Sequence, residues 1–159
     1  MPDLPPEMMM RDRQADPNFD DSEVLFRRFQ PYHLDGAEVA PEAFELPDMS
    51  VIREKYGRAE WLLLDEDVGG WGVGAFHVRD IPNDKQLMHR GVIVFVLRAE
   101  HVPHRQNYPH SEVRVHRDNR RICRENANVH LLEPDFHLRW RERLSQSSWV
   151  AIPPGGTRA

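Results

Sequence analysis

Histidine is the residue type whose distribution in this 159-residue chain points most directly to chemistry. Four of the nine histidines fall in the stretch from His101 to His116. Imidazole changes protonation near neutral pH and can transfer protons or ligate metals. The stretch begins with prolines and ends in alternating apolar and polar residues, which is typical of a loop leading into a strand. We expect the functional site here, because loops carried on rigid strands often hold it.

Alternation over residues 111–117 predicts a β-strand whose two faces differ. One face turns to the core, and the other presents His110, Glu112, Arg114 and His116. In a catalytic interpretation Glu112 is an acid/base or orienting carboxylate, and His110 shares a proton with it. The binding candidates are Arg114, His116, Asn107 and Tyr108. The same alternation is also typical of the solvated face of an antiparallel strand, so both interpretations stay open.

A metal site is a third interpretation of the same histidines. His101 and His104 are separated by two residues, and with His110 and His116 they offer the nitrogen ligands that zinc accepts. The stretch contains no cysteine pair and no His-Glu-x-x-His helix, which are the usual zinc signatures. We therefore predict neither a metal nor any other cofactor, and His101 and His104 remain the candidate ligands if one binds.

Two arginines, Arg27 and Arg28, lie in the first predicted strand, and an arginine there can bind an anion through its forked donors. We include Arg28 with Glu112 and His110 as a candidate catalytic residue. The order of an arginine on an early strand, Ser50, and Glu112 on a later strand resembles that of some ADP-ribosyltransferases. The resemblance covers three residues without that family's Ser-Thr-Ser stretch, and it implies a nucleotide or NAD-like ligand without identifying a family.

The elements that must position these residues follow from hydrophobic periodicity. We predict strands over residues 23–29, 91–97, 111–117, 129–132 and 149–152, with residues 91–97 central because both faces are apolar. Residues 135–146 predict a helix with Phe136, Trp140 and Leu144 in one stripe. A short helix is predicted from Ser50 to Tyr56, with Gly57 ending it.

These elements predict one α+β domain over residues 22–152. It has an antiparallel or mixed sheet of about five strands, one clear C-terminal helix and one or two short helices. Residues 1–21 and 153–159 are predicted to be flexible tails. The glycines from Gly69 to Gly74 lack the Lys and Ser/Thr of a phosphate loop, so we interpret them as the entry to a strand.

Composition narrows the class of function. The net charge of −5 disfavours nucleic-acid binding. All but two of the 21 basic residues are arginine, which favours a GC-rich bacterial genome. Cys123 is the single cysteine, so an internal disulfide is impossible and a cytoplasmic location is expected. No apolar run is long enough to span a membrane, and the N-terminus does not have the pattern of a secretory signal.

From the sequence we expect a non-enzymatic interaction or accessory protein of a bacterial cytoplasm, with another protein as its partner. One alternative is a small enzyme that acts on a nucleotide or NAD-like ligand, with Glu112 and neighbouring histidines as acid/base groups. The other is a metal-dependent protein with histidine ligands. Clustering of the histidines and Glu112 in a concave pocket would favour chemistry, and dispersal over a convex face would favour binding.

Overall fold

The computed structural model describes residues 3–81, 87–89, 93–127 and 134–155. Its strands and helix are β1 (Val24–Phe29), β2 (Leu34–Asp35), β3 (Glu38–Val39), β4 (Asp48–Arg53), β5 (Gly72–His77), β6 (Leu87–His89), β7 (Ile93–His101), β8 (His110–Arg117), β9 (Arg120–Ile122), α1 (Pro134–Ser147) and β10 (Trp149–Ile152). Several short 3-10 helices lie between the strands, including those at Ala59–Leu63 and Glu66–Val68.

Seven strands form one antiparallel sheet in the order β10-β5-β1-β4-β8-β7-β6, and β9 pairs with the end of β8 as a hairpin. The short β2 and β3 pair with each other outside this sheet. The α+β class and the C-terminal helix are confirmed, and the sheet has more strands than the five predicted. The described part of the predicted strand over residues 91–97 lies in β7, an interior strand between β8 and β6, while β1 and β4 lie nearer the middle of the sheet.

The predicted helix over residues 50–56 was wrong, since residues 48–53 form β4. Met49, Val51 and Ile52 are all almost fully buried in the sheet, and β-branched residues suit a pleated, buried surface. A seven-residue helix would be marginal without tertiary support. Gly57 does end an element, but it follows a turn in which Tyr56 N donates to Arg53 O at 3.1 Å.

The predictions nearer the C-terminus are confirmed where the structure describes them. Helix α1 covers residues 135–146, and β10 begins and ends at the predicted residues. Trp140 and Leu144 of the predicted stripe are buried, and Ser145 Oγ donates to Val39 O at 2.6 Å. The side chain of Phe136 and the predicted strand over residues 129–132 lie outside the described part of the chain.

The central sheet is buried on both faces by different elements. One face packs Leu25, Phe29, Phe76 and Leu97 with Trp140 and Leu144 of α1. The opposite face is smaller and packs Phe26, Ile52, Val73 and Ala75 under Leu63 and Val68 of the two 3-10 helices. None of the described helices is long and apolar enough to cross a membrane.

Residues 3–21, which fall in the predicted N-terminal tail, pack along the loop between β7 and β8. Met8 is buried, Tyr108 N donates to Met8 O at 2.7 Å, and Met10 N donates to Arg105 O at 2.8 Å. Asp16 is joined to β4 and its following turn through Arg53 and Tyr56. These contacts hold the loop that carries His104 and Asn107.

The centre of the sheet contains a fork. Strand β1 pairs with β5 over six residue pairs, but its described pairing with β4 covers only Leu25↔Arg53 and Phe26↔Ile52. Strand β4 instead continues with β8 over five pairs, from Asp48↔Arg114 to Ile52↔His110. Residues 27–29 of β1 and 48–51 of β4 therefore border an opening between the two halves of the sheet, which we call the fork cleft.

Candidate functional site

The fork cleft has a volume of about 430 Å³ and brings cationic, hydroxyl and imidazole side chains next to an apolar wall. The polar side is lined by Arg27, Arg28, Gln30, Glu45, Ser50, His104, Asn107 and His110. The apolar wall consists of Ile52, Leu62 and Trp71. Enclosed clefts of this size with a few convergent polar groups are the usual form of small-ligand sites.

Ser50 and His110 form a hydrogen-bonded pair in the cleft. Ser50 Oγ lies 2.7 Å from His110 Nε2, and His110 Nδ1 lies 2.7 Å from Val102 O. A carbonyl oxygen only accepts hydrogen bonds, so Nδ1 must carry the proton in the neutral ring. Nε2 is then the acceptor, and the Ser50 hydroxyl donates to it. This is the arrangement of a hydroxyl and a general base, with a carbonyl in the orienting role.

His110 is held in its neutral form by its surroundings. Burial lowers the pKa of His110 below the ordinary 6.5, the hydrogen bond to Val102 O opposes this, and the electrostatic interaction with the neighbouring His104 ring lowers the pKa further. The His104 ring stacks on the His110 ring with centroids 3.8 Å apart. At neutral pH the Nε2 lone pair is therefore available to the Ser50 hydroxyl.

Arg27 fixes the backbone on which Ser50 sits. Its Nε donates to Ala43 O at 2.7 Å and one terminal nitrogen donates to Ser50 O at 2.8 Å. Burial lowers the pKa of Arg27 to about 10, so the guanidinium stays charged at neutral pH. The carboxylate of Glu45 lies 3.9 Å away and is mostly exposed. Arg27 is therefore the early-strand arginine that contacts the backbone of the fork.

Arg28 faces the mouth of the cleft from the same strand. Its side chain makes a long 3.4 Å hydrogen bond to Leu62 O, and its guanidinium carbon lies 5.6 Å from the centre of the Trp71 ring. Arg28 is exposed, and a guanidinium has five N–H donors. Most of this donor capacity is open to a ligand.

Glu112 is opposite Ser50 in the β4–β8 register, but its carboxylate is engaged elsewhere. Glu112 Oε1 accepts from Arg114 Nε at 3.0 Å and from Arg121 at 3.4 Å. Arg114 also donates to Glu100 Oε2 at 2.8 Å, and His116 Nε2 lies 2.7 Å from Glu100 Oε1. Arg114, His116 and Glu112 thus belong to a row of polar side chains joined through Glu100 beside the cleft, and the catalytic role of Glu112 stays a prediction.

His101 and Tyr108 lie under the N-terminal segment. His101 Nε2 lies 2.7 Å from Tyr108 O, and its Nδ1 accepts from Asp16 N at 2.8 Å. The ring also stacks on Tyr56 with centroids 5.6 Å apart. His101 and His104 therefore have different surroundings. Within the described ranges no three His, Cys, Asp or Glu side chains group as a metal site requires.

Asn107 is the other sequence-predicted binding residue that lines the cleft. Its backbone pairs with His104, with N–O distances of 3.0 and 3.1 Å, which shapes the tight loop at the cleft wall. Its Oδ1 is buried and has no hydrogen-bond partner in the described part of the protein. A buried acceptor of this kind is rare and is consistent with a group that meets a ligand or water.

A larger hollow of about 1040 Å³ lies beside the N-terminal segment, lined by Met9, Met10 and Arg105 among others. It shares His104 and Asn107 with the fork cleft. We place the site in the fork cleft, because the hydroxyl, the neutral imidazole and the two arginines meet there.

Sequence reasoning missed the Ser50–His110 pair and Trp71. Ser50 was assigned to a helix N-terminus, which removed it from the sheet. The alternation of Met49 and Val51 with Asp48 and Ser50 was the available signal, since it places Ser50 on the face opposite the main core. Trp71 lies within the glycine-rich stretch from Gly69 to Gly74 and gave no comparable signal.

No protein-family model, curated protein or solved structure matches the chain.

Proposed function

We propose that the chain is a small enzyme that binds a nucleotide-like anion in the fork cleft and uses His110 as its acid/base group. One observation carries this proposal. The oriented, neutral imidazole of His110 contacts the Ser50 hydroxyl inside a cleft that also presents Arg27 and Arg28. Perturbed titratable groups in a concave site are typical of acid/base chemistry.

The charge of the cleft favours an anionic ligand. Arg27 and Arg28 contribute two positive charges to the lining and Glu45 contributes one negative charge. The Glu45 carboxylate lies 3.9 Å from Arg27 and most of its side chain is in solvent, which weakens its effect on a ligand. Guanidinium groups match phosphate oxygens in geometry and charge. Arg28 is the residue we assign to phosphate contact, because Arg27 already donates to two backbone carbonyls.

The apolar wall favours a flat ring in addition to the phosphate. Trp71 is half-buried and stands over the fork with Leu62 and Ile52. Stacking of a base on an aromatic side chain contributes roughly 1–3 kcal/mol. A phosphate-binding arginine next to a stacking surface is the combination that a nucleotide requires.

The bacterial cytoplasm expected from the arginine bias and the single free cysteine is part of this proposal. The sequence also predicts an accessory role with a protein partner, and both stay predictions. The contacts of the cleft concern only the alternative of an enzyme.

Isothermal titration with AMP and with ADP-ribose tests the proposal. We expect saturable binding of at least one probe, weakened about tenfold or more in Arg28→Gln, because a charge-assisted hydrogen bond is worth about 1.5–3 kcal/mol. Arg58→Gln, which removes an exposed arginine outside the cleft lining, should bind as the wild type does. Absence of saturable binding of both probes at millimolar concentration would contradict the proposal.

A further inference from the structure

We propose that Ser50 is the nucleophile of the fork cleft and that it takes up the phosphoryl group of a nucleotide phosphate ester. This inference rests on the proposed function for its substrate class. It adds the identity of the attacking atom, Ser50 Oγ, and the reaction type, phosphoryl transfer through a covalent serine intermediate.

The geometry distinguishes Ser50 from the other serines whose hydroxyl contacts are described. Ser111, Ser145 and Ser148 donate to the backbone carbonyls of Pro109, Val39 and Ser145. A carbonyl orients a hydroxyl but cannot accept its proton at neutral pH. Ser50 Oγ instead contacts an imidazole nitrogen at 2.7 Å, and that nitrogen is a base of suitable strength.

The position of Ser50 Oγ is set by rigid elements. Ser50 lies in β4 between neighbours that are fully buried, Met49 and Val51, and His110 is the first residue of β8, buried against Val102. Arg27 is the positioning residue, because its 2.8 Å bond to Ser50 O ties the fork side of β4 to β1. Ser50 itself is exposed to the cleft, so the attacking oxygen is accessible.

The step balances with the groups present. Ser50 Oγ attacks the phosphorus atom, the Oγ–P bond forms, and the bond from phosphorus to the leaving oxygen breaks. The Oγ proton passes to His110 Nε2 and then to the leaving oxygen. In the second step a water molecule attacks phosphorus and gives a proton to His110 Nε2. The Oγ–P bond then breaks, and Nε2 returns the proton to Ser50 Oγ. Arg28 at the mouth of the cleft would offset the negative charge of the phosphoryl oxygens.

The experiment uses a fluorophosphonate probe on the full chain, with peptide mass spectrometry to locate the label. The probe phosphonylates an activated serine: the Oγ–P bond forms, the P–F bond breaks and fluoride leaves. We expect one equivalent of label on Ser50, none in Ser50→Ala, and unchanged labelling in Ser148→Ala. Labelling confined to other residues, or wild-type labelling no greater than that of Ser50→Ala, would overturn the inference.

The role of His110 has its own readouts. Labelling of His110→Gln should be about 100-fold slower or more, since a general base contributes roughly 10²–10⁴-fold. If that variant does not fold, the rate at which the wild type is labelled, measured as a function of pH, tests the role of His110. The rate should fall as His110 is protonated under acidic conditions, and a rate constant that does not change from neutral to acidic pH would overturn the proposed pair.

Failure of the inference and failure of the proposed function are distinguishable. AMP binding without labelling of Ser50 rejects the nucleophile and leaves the nucleotide site. Ser50 could instead be labelled while AMP and ADP-ribose neither bind nor slow the labelling. That result supports Ser50 as the nucleophile and rejects a nucleotide as the ligand of the fork cleft.

Discussion

Ser50 Oγ and His110 Nε2 lie 2.7 Å apart although sixty residues separate them in the chain. The contact exists because β4 and β8 pair antiparallel with Ile52 opposite His110, which places Ser50 diagonally across from the imidazole. The fork between β1 and β4 opens the sheet beside this pair, so that Ser50 is exposed to the cleft while His110 stays buried.

Arg53 is the buried centre of the contacts that hold the N-terminal segment. It is fully buried, bonds both carboxylate oxygens of Glu23 at 2.7 and 3.0 Å, and donates to Asp16 O and Asn18 O. Removing one partner of a buried ion pair costs about 3–5 kcal/mol, so Arg53→Met should lower the free energy of unfolding by that amount.

Urea denaturation measures this effect, and the double variant Arg53→Met with Glu23→Leu is its control. The double variant should be more stable than the sum of the single losses predicts, because no carboxylate remains buried without a partner. Additive losses would mean that the pair is not coupled as its distances indicate.

Asp16 anchors the N-terminal segment at its carboxylate. Its Oδ2 accepts from Tyr56 Oη at 2.6 Å and from Lys55 Nζ at 3.1 Å. The hydrogen bond from Tyr56 and the neighbouring cations hold the pKa of Asp16 well below its usual range. Asp16→Ala should therefore speed tryptic cleavage at Arg11 and Arg13, because local opening exposes that backbone more often.

The matched control for this change is Asp12→Ala, which removes an exposed carboxylate from the same segment. Cleavage of the control should follow the wild-type time course in mass spectrometry. Equal rates for Asp16→Ala and Asp12→Ala would show that the carboxylate contacts do not secure the segment.

Two buried histidines make stability depend on pH. Burial lowers the pKa of His101 and of His110 below 6.5. The unfolded chain binds more protons than the folded chain as pH falls below 6.5, so stability is complete above that pH and decreases beneath it. The urea midpoint should be lower at pH 5.5 than at pH 7.5.

The control replaces either a buried or a partly exposed histidine. The decrease in the urea midpoint from pH 7.5 to pH 5.5 should be smaller in His101→Gln than in the wild type. In His33→Gln it should equal the wild-type decrease. A midpoint that is the same at both pH values would contradict the neutral state assigned to the buried rings.

Glu112 provides a discriminating variant, because its carboxylate contacts two arginines rather than the cleft. Glu112→Gln should reduce stability by no more than about 1 kcal/mol, as expected for a partly exposed ion pair. The rate at which a fluorophosphonate labels Ser50 should stay within about twofold of wild type. A large decrease of that rate in a folded variant would contradict this expectation and support the catalytic role that the sequence predicts for Glu112.

Local pattern predicted a large part of the fold. Strands β1, β8 and β10 and helix α1 have period-2 or period-3.6 apolar residues, and each lies where the pattern placed it. Strand β4 was missed because Ser50 and Gly57 together imitate the start and stop signals of a helix. Burial of Met49, Val51 and Ile52 on both faces of the sheet outweighs these signals.

The candidate site was only partly predictable for a different reason. Periodicity placed His110 and Glu112 on one face of β8, but it carries no information on which strand pairs alongside. The register of β4 against β8 brings Ser50 to His110, and the short β1–β4 pairing lets Arg27 reach the backbone of Ser50. Such long-range pairings depend on the whole sheet, and one sequence does not specify them locally.

The most direct test of the fork cleft is a map of amide chemical shifts as AMP is added to the uniformly ¹⁵N-labelled protein. We predict that the largest saturable changes fall on Arg28, Ser50 and His110 and on the indole N–H of Trp71, with smaller changes at His101. Saturable changes confined to the hollow beside Met9 and Met10 would contradict the account, as would spectra that do not change.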